Sequence, residues 1–160
     1  MSHPALGLPP LDPTAGLPAA AARLRAARQR LGARSLDIAL ELDQTIPEHN
    51  DETGLRRLLR DMDVLIDEVA QSMATGSTAA IHSWAEQASL NYRRRRVPMD
   101  NVIALCEGLR EASRAVLTPA ERGAADAAID TAIERLRWQR RIAGDARKRN
   151  RILQLLYKGA

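Results

Sequence analysis

From Pro18 onward, apolar residues recur every three or four positions, the spacing of one buried stripe on a helix. Leu24, Ala27, Leu31, Ile38, Leu42 and Ile46 mark the first such stripe, with Pro18 suited to a first helical turn. Gly32 interrupts it, at about 1 kcal/mol relative to Ala. The stretch therefore reads as one helix to about Gln44 or as two segments bent at Gly32. Ile46-Pro47-Glu48-His49-Asn50-Asp51 breaks the pattern, because the residue before a proline is pushed away from helical dihedrals.

The next pattern is the cleanest. Leu55, Leu58, Leu59, Met62, Leu65, Ile66, Val69 and Met73 share one face, and Arg56, Arg57, Arg60, Asp61, Asp63, Asp67 and Glu68 fill the rest. Asp63 and Asp67 fall opposite the stripe, which reads as a solvated surface. A short turn at Thr75-Gly76-Ser77-Thr78 follows, with Ser77 or Thr78 able to cap the next helix. That helix carries Ile81, Trp84, Ala85, Ala88 and Tyr92, and it ends in Arg93, Arg94, Arg95 and Arg96, where cations suit a helix C-terminus.

Another helix opens near Pro98 with Met99, Val102, Ile103, Cys106, Leu109, Ser113 and Val116 as its stripe. Thr118-Pro119-Ala120-Glu121 is the sharpest local signal in the chain: a Thr-x-x-Glu capping box with proline at the first helical position. The helix it opens buries Ala125, Ala128, Ile129, Ala132, Ile133 and Leu136, small enough to admit a neighbour closely. The pattern runs through Trp138 and Ile142, and a basic segment follows that is either a continuation or a separate short helix. These elements predict an all-α single domain, a bundle of five to six helices over residues 18–143. A proline-rich leader at 1–17, read as disordered or loosely packed, precedes it, and a basic amphipathic segment at 144–160 follows.

Composition supports helices over strands. Ala, Leu and Arg dominate, there is no Phe, and the 160-residue length suffices for one core that buries roughly 70% of the unfolded chain's surface. The single cysteine, Cys106, excludes an intramolecular disulfide and a cysteine metal cage, and a reducing cytoplasm is the expected setting. No apolar run approaches the roughly 18 residues of a membrane span.

Charge is unevenly spread within the net +4. Residues 35–92 hold three arginines against eleven carboxylates, a balance of −8, whereas residues 134–160 hold nine basic residues against two acidic ones, a balance of +7. Five arginines and no acid lie between Arg23 and Arg34. Such a distribution suits polyanion binding or neutralisation within the protein and its copies.

Catalytic and metal chemistry find little footing. None of His3, His49 and His82 has a glutamate three residues before it, so the Glu-x-x-His pairs of a di-iron bundle are missing. There is no recognisable Ser-His-Asp set, phosphate-binding glycine loop or Walker lysine. Cys106 sits at apolar spacing and reads as a small core residue. The chain reads as a non-enzyme with no cofactor.

Binding candidates are basic. Arg93, Arg94, Arg95 and Arg96 are candidate anion ligands, set against a plain helix terminus. Arg147, Lys148, Arg149 and Arg151, followed by Ile152, Leu155, Leu156 and Tyr157, form the stronger candidate. A basic amphipathic end of this kind fits a second copy or partner protein first, nucleic acid second and an anionic membrane surface third.

The run Tyr92 to Asp100, an arginine cluster followed by Val-Pro-Met-Asp and an apolar helix, resembles the N-terminal sensor domains of RsbR-type stressosome proteins. The preceding Ile46-Pro47 loop, the Gly76 turn and the Trp84 helix extend the likeness over roughly residues 20–140. The resemblance implies a globin-like helical domain without haem, usually dimeric, that passes a signal onward. No output domain follows the bundle in this sequence, so the expectation is action through a separate partner. The function expected is a self-associating signalling or adaptor domain that engages a partner through its basic C-terminal segment. An arginine-rich nucleic-acid-binding protein and a small-molecule-binding helical sensor are the alternatives.

Overall fold

The computed structural model describes the backbone of residues 16–157 and the side chains of residues 16–142. Among the described residues the protein is all-helical, with seven helices and no strand. They are α1 (Pro18–Ala26), α2 (Arg28–Leu42), α3 (Ile46–His49), α4 (Glu52–Thr75), α5 (Ala79–Arg94), α6 (Met99–Ser113) and α7 (Pro119–Tyr157).

The first helical pattern is divided, but at Ala27, where the backbone turns at φ −92° and ψ 2°. Gly32 lies inside α2 instead, buried against Met62 of α4, so its small size serves packing and produces no bend. Ile46-Pro47 forms a single helical turn in place of the expected loop, anchored by the fully buried Ile46. Of the leader, Gly16 and Leu17 pack onto the end of α4: the Leu17 N–H donates to the Met73 carbonyl over 2.6 Å, and a Cβ at residue 16 would overlap the Ala74 carbonyl. The rest of the leader lies outside the described residues.

α4 is the hub. Its predicted stripe is its buried face, with Leu58, Met62, Leu65 and Ile66 at 1% exposure or less. It packs against α1, α2, α5 and α7. Asp51 caps it by accepting from the Gly54 N–H over 2.7 Å, and Gly76 closes it at φ 70°, in the left-handed region that favours glycine. At the start of α5, the Ala79 N–H donates to Ser77 Oγ over 3.3 Å, while Thr78 makes no side-chain cap.

α6 is buried well beyond its predicted stripe. Asn101, Ala104, Leu105, Gly108 and Ala112 join Val102, Cys106 and Leu109 in the interior, because α2 and α7 cover it from different sides. Gly108 is the reason α2 comes so close: a Cβ there would overlap the Ser35 carbonyl oxygen. Ser35, itself fully buried, turns its hydroxyl back to the Leu31 carbonyl over 2.6 Å, leaving no unpaired donor at the crossing.

The glutamate half of the capping box forms, with the Thr118 N–H donating to Glu121 Oε2 over 2.9 Å, while the Glu121 N–H donates to the Thr118 backbone carbonyl over 3.0 Å. α7 then runs as one helix of 39 residues, about 58 Å at 1.5 Å per residue. Ala125, Ala128, Ile129, Ala132, Ile133 and Leu136 are its buried face, and Trp138 and Ile142 beyond them are more than 40% exposed.

Candidate functional site

The four arginines that close α5 are spread by the geometry of the helix end. The Val97 N–H donates to the Tyr92 carbonyl over 2.9 Å, and the Arg96 N–H to the Arg93 carbonyl over 3.1 Å. This is the double hydrogen bond of a Schellman motif, completed by contact-ready apolar residues, Val97 and Tyr92, both buried. Arg96 occupies the left-handed position at φ 58°, where glycine is usual. A tight reversal of this kind cannot aim four successive side chains at one point. Arg93 turns to α7 and donates to the Gln139 carbonyl over 2.8 Å, Arg94 and Arg96 face solvent, and Arg95 folds back over α4.

Arg95 is the centre of the site. Its Nη1 donates to Asp61 Oδ2 over 2.6 Å, and the Tyr92 hydroxyl donates to the same oxygen over 2.9 Å. The guanidinium lies over the Tyr92 ring, 5.0 Å from its centroid, in cation–π geometry. Burial, with the Asp61 charge beside it, pushes the Tyr92 phenol well above its ordinary value, so it stays a donor. Arg95 Nη2 is out of contact with solvent and has no acceptor in the protein.

Two clefts meet at this arginine. One, of about 230 Å³, lies between α4 and α5, walled by Val64, Trp84, Gln87 and Asn91 with Asp61 and Arg95 at its end. The other, of about 400 Å³, lies between the start of α4 and the α5–α6 junction, lined by His49, Asp51, Thr53, Arg57 and Arg95 among others. Only Arg95 of the four-arginine run lines either cleft. Asp61 and Arg57 were missed as site residues, since both read as polar-face residues of α4. Helical spacing assigns a face but not which neighbour covers its margins.

Arginines from neighbouring elements reach two of the α4 carboxylates at the margins of its polar face. Asp67 pairs with Arg28 over 3.0 Å, Asp61 takes Arg95, and Asp63 lies beside Gly32. Further pairs tie other elements: Arg23 to Glu121, Arg135 to Glu86, Arg140 to Asp100, and Arg110 to Asp126 and Asp130. Part of the uneven charge is thus balanced within the fold.

A second polar node sits under the α3 turn. Fully buried Asn101 donates from Nδ2 to Asp43 Oδ2 over 2.6 Å and to Thr45 Oγ1 over 3.1 Å. Hydrogen bonds, the Thr45 hydroxyl first, hold the Asp43 carboxyl below its ordinary range.

The remaining candidates are placed as follows. Cys106 is fully buried, and desolvation pushes its thiol up to about 12, so it is a core residue and no nucleophile at neutral pH. His82 is exposed on α5, and His49 Nδ1 lies 2.9 Å from the Thr45 carbonyl. Among the described residues no group of three His, Cys, Asp or Glu is placed to hold a metal ion, and no helix is long and apolar enough to cross a membrane. Arg147, Lys148, Arg149, Arg151, Ile152, Leu155, Leu156 and Tyr157 belong to the α7 backbone, and their side chains lie outside the described residues. No protein-family model matches the chain, and no curated protein matches it.

Proposed function

We propose that the chain is a non-enzymatic signalling or adaptor domain that self-associates and engages a partner protein through the basic amphipathic segment at residues 144–160. One observation carries the reading: α7 is a single helix whose backbone continues to Tyr157, and Leu136 is the last buried side chain among its described residues. The sequence places Ile152, Leu155, Leu156 and Tyr157 beside Arg147, Lys148, Arg149 and Arg151 on this helix, and an amphipathic helix gains by laying its apolar side on another surface. Trp138 and Ile142, exposed just past the last core residue, begin that surface. In this reading the bundle is a globin-like domain without haem, of the RsbR-type sensor kind, dimeric and cytoplasmic. Nucleic-acid binding draws less support, because Arg23, Arg25 and Arg28 are turned onto Glu121 and Asp67.

Light scattering at rising concentration and moderate salt tests the self-association, and a dimer is expected. A pull-down from native cells with and without residues 144–160 tests the partner surface, which the truncation removes while circular dichroism keeps the helical signal. A strict monomer, or partner capture unaffected by truncation, refutes the reading. A small-molecule-binding sensor is the second reading, and the two clefts that meet at Arg95 favour it.

A further inference from the structure

We infer that the cleft of about 400 Å³ between the start of α4 and the α5–α6 junction binds a small molecule through a phosphate group, held by Arg57 and Arg95. The inference rests on the sensor reading and is independent of self-association.

Three observations converge there. The first is charge left unspent. Arg57 is exposed at the cleft and takes no carboxylate among the described residues, whereas its neighbour Arg56 takes Glu52. The second is the spare edge of Arg95. Asp61 occupies Nη1, but Nη2 is buried without an acceptor, a costly state for a donor. Arg95 itself lines the cleft, and an oxyanion seated there becomes the acceptor for Nη2 once the guanidinium turns toward it. The third is the remaining lining. Thr53 lines the cleft and offers its hydroxyl as a donor.

The opposing charge is accounted for. Asp51 is the carboxylate that lines the cleft, and its Oδ1 is bound to the Gly54 N–H. Asp61 lies on the other side of Arg95, in the smaller cleft. Two guanidinium groups arriving from different elements suit a phosphate, which has oxygens enough to satisfy both forks. A carboxylate has oxygens for one. The concave shape and modest volume favour a free phosphorylated molecule over a flat lipid surface.

Titration of the full chain with inorganic phosphate, at ionic strength held constant with sodium chloride, tests this. Expected are saturable heat and amide chemical-shift changes centred on Thr53 and Gly54. Arg57→Ala weakens binding by about tenfold or more, the loss typical of a charge-assisted contact. Arg94→Ala and Arg96→Ala, which remove arginines outside the cleft, leave it unchanged. Absence of saturation, or an equal loss in all three variants, overturns the inference in favour of general ionic attraction. Capture on phosphatidylcholine vesicles containing phosphatidic acid, without binding of free phosphate, overturns it in favour of a membrane site. Dimer formation is read separately by light scattering, so failure of one test leaves the other standing.

Discussion

Arg96 and Gly108 show how much single residues contribute to this fold, in opposite senses. Arg96 holds φ 58° at the close of α5 without the glycine that such a position favours. Its side chain faces solvent, so nothing is lost on removing it except the left-handed strain. Arg96→Gly is expected to stabilise the protein by about 1 kcal/mol, read from the midpoint of denaturant unfolding. Gly108 is the reverse case. A methyl group there meets the Ser35 backbone, which cannot yield without parting α2 from α6. Gly108→Ala is expected to cost about 1–3 kcal/mol or more, as overpacking does, with a lowered unfolding midpoint as the measurement. An unchanged midpoint would mean that the two helices are not so close. Neither role can be read from the residue's neighbours in sequence: Arg96 sits in a run of like residues, and Gly108 sits in an unremarkable helical pattern.

At the scale of the element, α4 and α7 were the easiest to read, for local reasons. The α4 stripe is long and unbroken, and the turns that bound it are set by Asp51 and Gly76. The Thr118–Glu121 box starts α7 through contacts three residues apart. Such signals depend on helix geometry alone. The α1–α2 break at Ala27 and the turn of helix at Ile46–His49 were misplaced because they answer to packing. Asp51→Ala removes the acceptor for the Gly54 N–H and is expected to cost about 1 kcal/mol in denaturant unfolding. Since the same residue lines the larger cleft, Asp51→Asn, which keeps an oxygen acceptor, separates the cap from the charge.

For the whole molecule, the pairs of Arg25 and Arg28 with Asp67 and of Arg135 with Glu86 join the acidic middle of the sequence to its basic flanks. Two carboxylates are held below their ordinary range in the fold: Asp43, by the Thr45 hydroxyl above all, and Glu121, by the Thr118 N–H first and Arg23 after it. A carboxyl whose folded value is depressed stabilises the protein fully above its unfolded value. That contribution is lost as the pH falls through the folded one. The melting temperature is therefore expected to fall as the pH drops through and below the ordinary carboxylate range. An Asp43→Asn, Glu121→Gln double variant should lose part of that acid slope. An identical slope in the variant would show that these two groups do not contribute.

Helical spacing, proline and glycine punctuation and the Thr118–Glu121 signal determined by themselves that the described residues are all-helical, where α5, α6 and α7 begin, and which residues of α4 and α7 face the core. Those features are decided within a few turns of chain, where periodicity and caps act. Only the tertiary structure decided that α6 is covered on several sides, that the acidic residues of α4 meet arginines from α2 and the α5 terminus, and that Arg95 alone of its run stands between two clefts. The bonded pairs Arg95–Asp61 and Arg28–Asp67 lie 34 and 39 residues apart, and no local rule brings such partners together. Long-range packing of the helices does.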